Sequence, residues 1–221
     1  MNRLKMVLAS LVFAVVSGCS GPQGNAPAVA AEPEQPSYTS NSPGDMADLI
    51  DAGLVKLLRS NGNGSSSGAA VEGSIQNTSS KPLAIDIVMS RPVYFRNGGR
   101  GQNMIASMVL GDDGGYMSNG SNSFVQLAPN EQANVQFIAF CADFEKDNPS
   151  ASDTFTLGDP PPQLLGVMSK IAAYSRANPE SDVTVPGQVA VWMAQGVPPD
   201  TIRTKFDFDA MDEARARSFL E

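Results

Sequence analysis

Histidine is absent from this 221-residue chain, and only two cysteines, Cys19 and Cys141, and one tryptophan, Trp192, occur in it. Without imidazole there is no Ser-His-Asp or Cys-His catalysis, and a zinc or copper site lacks its usual ligands. Any metal would have to be a hard cation held by oxygen, and no cofactor is expected. Positive charge is also scarce: 15 Lys and Arg stand against 23 Asp and Glu, with no basic run. Nucleic-acid affinity rests largely on cations that neutralise phosphates, so nucleic acid is excluded as a partner. The apolar run Met6 to Val16 is too short for a permanent membrane-spanning helix. No internal repeat is present.

That short run has a different use. Arg3 and Lys5 precede it, and Val16-Ser17-Gly18-Cys19 closes it with small residues directly before a cysteine. This is secretory-signal architecture. Because a plain signal peptide needs no cysteine after the cut, the tetrad resembles the lipobox of bacterial lipoproteins. The resemblance implies a leader over residues 1–18, lipid attachment at Cys19 and a membrane as partner. Two or three acyl chains hold a protein firmly where one holds it marginally. Ser20 follows, where inner-membrane lipoproteins of Gram-negative bacteria usually carry Asp, which favours the outer membrane in such a cell envelope.

Cleavage there removes Arg3 and Lys5, leaving 13 basic and 23 acidic residues and a net charge of −10. Cys141 is then the only free thiol, so no disulfide can form within one chain and an apolar core must carry the fold. Residues 19–44 read as a tether: Pro22, Pro27, Pro33, Pro36 and Pro43 stand among Gly, Ala, Ser and Gln, with Tyr38 the exception. Such a composition cannot offset the entropy of ordering. As a partly extended coil it reaches on the order of 30–70 Å from a bilayer.

Residues 45–221 have a length suited to one domain. Asp45 is expected to cap a short helical turn, and Leu54 to Leu58 fits a helix or a strand. Asn61 to Gly68 reads as a polar loop. The pattern from 69 to 141 is β: Val71–Ile75, Leu83–Ile87, Gln102–Leu110, Ser123–Leu127 and Gln132–Phe140 are strand-like, with turn clusters between them. Met104, Ala106 and Met108 are expected on one face of their strand, with Ile105 and Val109 on the other. From about 160 to 221 the period is helical: Gln163–Ala177, Pro186–Gln195, and Ala210–Leu220 capped by Asp209. The expected class is α+β, an antiparallel sandwich or small barrel followed by helices.

Three groups of acids carry no clear chemistry. Asp112-Asp113 lies among glycines but lacks the spaced ligands of a calcium loop, so a turn is the better reading. Asp207, Asp209 and Asp212 read as a capped helix start. Asp143, Glu145 and Asp147 offer carboxylates for acid–base work, but no nucleophile, metal or cleft is evident, and a solvated loop is expected. The aromatic residues are scattered and read as core or surface filler.

Cys141 and Gln188 belong together. Cys141 ends a strand after Phe140, and Gln188 lies four residues before Trp192 on one helix face. If Trp192 is core, Gln188 points inward, where a buried amide needs partners. Phe140-Cys141 and Gln188-Val189-Ala190-Val191-Trp192 resemble, in order, two motifs of the thioester domains of bacterial surface adhesins. Gly187 replaces the threonine of the second motif. The resemblance implies an internal thioester between Cys141 and Gln188 that captures a nucleophile on a target surface.

The favoured expectation is a membrane-anchored, non-enzymatic binding or envelope-structure module with a protein or envelope-polymer partner. A covalent-capture adhesin is the alternative, and a carboxylate hydrolase ranks third. Cys141 is expected to be buried, with Gln188 facing it or the same core. The sequence does not address oligomeric state.

Overall fold

The computed structural model describes residues 38–39, 42–111, 117–119 and 122–221, with backbone alone at 117–119, 122 and 123. The leader, Cys19, most of the tether and the Asp112–Asp113 turn lie outside the described residues.

Six antiparallel strands form the main sheet in the order β1 (Val55–Gly62), β2 (Ser67–Asn77), β8 (Gln132–Cys141), β5 (Met104–Gly111), β4 (Val88–Asn97) and β9 (Phe155–Gly158). The sheet curls until its two edges nearly meet. Asn61 bridges Thr154, Gly62 N–H donates to Asp153 O at 3.2 Å, and Ser60 Oγ donates to Phe155 O at 3.1 Å. Near-closure of this kind removes most of the exposed edge of a sheet. The Phe95 ring centroid lies 5.0 Å from that of Phe137 and 5.9 Å from that of Phe155, both edge-to-face, and this cluster fills the middle. A smaller sheet, β3 (Leu83–Asp86), β7 (Asn122–Leu127) and β6 (Met117–Asn119), stands beside it. The α+β class, barrel-like and then helical, is as the pattern predicts.

Helices cover the barrel. α1 (Met46–Asp51) and α2 (Pro162–Ala177) pack on β4, α3 (Thr184–Met193) on β8 and α2, α4 (Pro199–Ile202) on α3, and α5 (Ala210–Ser218) on α3. On α2, Leu164, Val167, Met168 and Ile171 are buried, the stripe its periodicity predicts. α1 is capped by Asp45, whose carboxylate also accepts from Ser90 N and Arg91 N at a break in the pairing of β4. No helix among the described residues is long and apolar enough to cross a membrane.

Several local expectations give way. Leu54–Leu58 resolves as strand, with β1 starting at Val55. The polar loop expected over Asn61–Gly68 is shorter, residues 63–66, because β1 runs to Gly62 and β2 starts at Ser67. The two faces of β5 do not differ: Met104, Ile105, Ala106 and Val109 are all buried, and Met108 is half-buried. A register shift between Ala106 and Met108 breaks the alternation, and a covered barrel buries both sides of a central strand. Ordering also begins before Asp45. Tyr38 O accepts from Ala84 N at 3.2 Å and Gly44 N donates to Ala84 O at 2.8 Å, so the end of the tether lies along β3 with Tyr38 against the core.

Candidate functional site: the junction of β8 and α3

Gln188 and Cys141 meet, and both are fully buried. Gln188 Oε1 accepts from Cys141 N at 2.7 Å, and its Nε2 donates to Cys141 O at 2.9 Å. The amide thus reads the backbone of one residue from both sides and ties the first turns of α3 to the end of β8. Cys141 N is shared with Ser66 O at 3.0 Å. The thiol turns elsewhere: Sγ lies 3.6 Å from Met104 Sδ and 3.9 Å from Asn148 Oδ1. Burial, and then the charge of Asp143, push its pKa far above the usual thiol range, so it is held protonated and poorly nucleophilic.

Gly187 explains itself at this junction. A Cβ there would stand 2.6 Å from Cε1 and 2.7 Å from Cζ of the buried Phe140 ring. The helix can approach the strand closely enough for Gln188 to reach Cys141 because position 187 carries no side chain. Threonine would force the ring or the helix aside.

The three acids after β8 separate into different roles. Asp143 Oδ2 accepts from Asn103 N at 2.9 Å, Asn103 Nδ2 at 2.8 Å and Lys146 Nζ at 3.1 Å, which makes it a latch between loops. Glu145 pairs with Lys205 at 3.2 Å. Asp147 is exposed, and its carbonyl takes Gln102 N at 2.9 Å. Asp209 is the predicted cap of α5, in a reciprocal capping box with Asp212, while Asp207 takes no part in it. Among the described residues no group of acids or cysteine is arranged to hold a metal ion.

Over this junction lies a cleft that the sequence does not reveal, enclosing about 280 Å³. Phe144, Trp192 and Phe206 are among its walls. The Trp192 ring centroid lies 5.2 Å from Phe144 and 5.4 Å from Phe206, both edge-to-face. Lys205 Nζ sits 4.7 Å above the Phe144 ring. Ser66, which shares the Cys141 N–H, and Asn148, which faces its sulfur, also line the cleft. Three aromatic residues far apart along the chain are therefore gathered in one place. The signal available beforehand was only the position of Trp192, one turn after Gln188.

Comparison with protein-family models, with curated proteins and with solved structures gives no match for this chain.

Proposed function

We propose that the chain is a lipid-anchored, non-enzymatic binding module of a bacterial envelope, held by acylated Cys19 and meeting its partner at the cleft above Cys141 and Gln188. The observation that carries this reading is the cleft itself: a recess that sets Phe144, Trp192 and Phe206 among polar and charged side chains, over a junction fixed by a fully buried amide. Concave sites bind ligands by combining apolar surface with polar groups that fix orientation. The mature net charge of −10 turns away anionic headgroups and polymers, which leaves neutral or cationic partners. The lipobox-like tetrad and the proline-rich tether supply the placement near a membrane, the outer one by the Ser20 criterion.

The test separates domain from lipid. A Cys19→Ala form lacks the acyl chains, so any sedimentation with isolated envelopes reports the domain alone. Retention is expected, and Phe206→Ala, checked for folding by its thermal midpoint, should abolish it. Equal retention of the two, or none by either, contradicts the reading.

One observation favours a second reading, covalent capture. Cys141 and Gln188 are in contact, as an internal thioester requires. Its formation would join Sγ to the Gln188 side-chain carbonyl carbon and expel the amide nitrogen as ammonia, which carries off the thiol proton. Capture of an amine would reverse this, forming a new amide and returning the thiol. The hydrogen bond from Cys141 N to Oε1 would stabilise the developing oxyanion. The thiol, however, faces Met104 and Asn148, and both polar atoms of the amide are engaged by the backbone. An intact mass one ammonia below the sequence mass, restored by methylamine, would establish the bond. The non-covalent reading predicts the full mass and Cys141 alkylation only after unfolding.

A further inference from the structure

Closure of the barrel stops part-way along its seam. Asn61 bridges Thr154 and Ser60 Oγ donates to Phe155 O, but beyond them, toward Leu57 and Leu157, no bond joins β1 to β9 among the described residues. A recess of about 280 Å³ opens there, with Leu57, Leu58, Arg59 and Leu157 among its walls. Leu157 also walls a second recess, of about 320 Å³, between α1, β4 and α2, together with Ile50, Asp51, Asp159 and Leu165. Leu58 (40% exposed), Leu157 (39%) and Leu165 (41%) are three of the five exposed large apolar side chains among the described residues, and all three lie along this strip. Single exposed leucines are ordinary, but a contiguous group beside an unpaired sheet edge marks an interaction face.

The two ends of the strip differ in charge. Arg59 is exposed and has no ion pair among the described residues, and no acid lines its recess. At the other end stand Asp51, Asp159 and Arg91. Arg91 is already bound to Asp51 and lies 3.4 Å from Asp48, which leaves the exposed Asp159 without a partner among the described residues. Arg96 runs over Gly158, on the face of β9 opposite to Leu157, and lines neither recess. A surface that is basic at one end, apolar in the middle and acidic at the other is complementary to itself after a half-turn, as a two-fold pair requires. We infer that the strip joins two copies of this chain about a two-fold axis, with the leucines at the centre and each Arg59 meeting Asp159 of the second copy. An anionic surface would suit Arg59 and oppose Asp159, and a cationic one the reverse. The strip shares no residue with the cleft over Cys141, and the pairing needs no envelope.

Sedimentation velocity of the Cys19→Ala chain, which lacks the acyl chains, tests the pair. A monomer–dimer equilibrium in the micromolar range is expected. Arg59→Glu and Asp159→Lys each set like charges against one another at both contacts. Each should weaken the dimer roughly tenfold or more, with an unaltered thermal midpoint. Mixing the two variants is the decisive arm. Every contact in a mixed pair is again between opposite charges, so dimer should return in the equimolar mixture although neither variant forms it alone. That recovery also shows that both variants are folded. A Cys19→Ala chain that stays monomeric through the micromolar range, a dimer indifferent to the reversals, or a mixture that remains monomeric overturns the inference. If that monomer also loses envelope retention on Leu157→Lys, the strip belongs to an envelope partner and not to a second copy.

Discussion

The barrel interior and the β8–α3 junction are both fully buried, and they are built in opposite ways. Phe95, Phe137 and Phe155 fill the barrel with rings that need only neighbours. The junction buries an amide, a thiol and an indole N–H within a few residues of one another, and one of the three has no partner. Buried polar groups stabilise less than apolar packing of the same volume and are costly when incomplete. Gln188 is kept there by the two bonds it makes to the backbone of Cys141, which tie α3 to the end of β8. The barrel interior is held by apolar packing, and the junction by hydrogen bonds to one strand end.

Substitutions can break this contrast in order of size. Phe137→Ala empties the centre of the barrel and should lower unfolding free energy by about 3–5 kcal/mol in a denaturant titration. A loss below that range would mean the interior collapses onto the gap. Gly187→Thr should cost about 1–3 kcal/mol, because its Cβ meets the Phe140 ring. A neutral result would mean that α3 can stand off from β8, and the close approach would not be obligatory. Gln188→Leu keeps the bulk but removes the acceptor for one of two bonds at Cys141 N and the donor to Cys141 O. About 1–3 kcal/mol is expected, with faster hydrogen exchange at the start of α3.

How far the sequence foretold these regions follows from the kind of signal each leaves. β2, β7 and β8 were legible because alternation survives when one face packs on a core. β4 was not, since Arg91-Pro92 reads as a breaker; the proline sits where pairing with β5 is interrupted, and the freed amides of Ser90 and Arg91 are served by Asp45 from another element. β9 is four residues among Ser, Asp and Pro, and is held by long-range contacts, its pairing with β4 and the Ser60 bond to Phe155 O. The Cys141–Gln188 contact was foreseeable from helix geometry and the buried tryptophan. The cleft was not, because Phe144, Trp192 and Phe206 are brought together by loops whose paths no local pattern encodes.

The smallest expected effect lies far from both regions. Glu213 is held below the usual carboxylate range by Arg217 and Arg203, its hydrogen-bond partners. A depressed folded-state pKa gives stability that is present above the unfolded value, near 4.3 for glutamate, and lost as pH falls through the folded one. Thermal midpoints of wild type and Glu213→Gln should therefore converge in acid and differ slightly at neutral pH. A difference that grows on acidification would contradict the assignment.

The central claim is that partners meet the cleft rather than the barrel. Hydrogen exchange of the Cys19→Ala chain, alone and on isolated envelopes, tests it most directly. Slower exchange confined to residues 142–148 and 192–206, with the strands away from Cys141 unchanged, is the predicted result. Protection along β1 and β9, or none anywhere on a chain that still sediments, would contradict it.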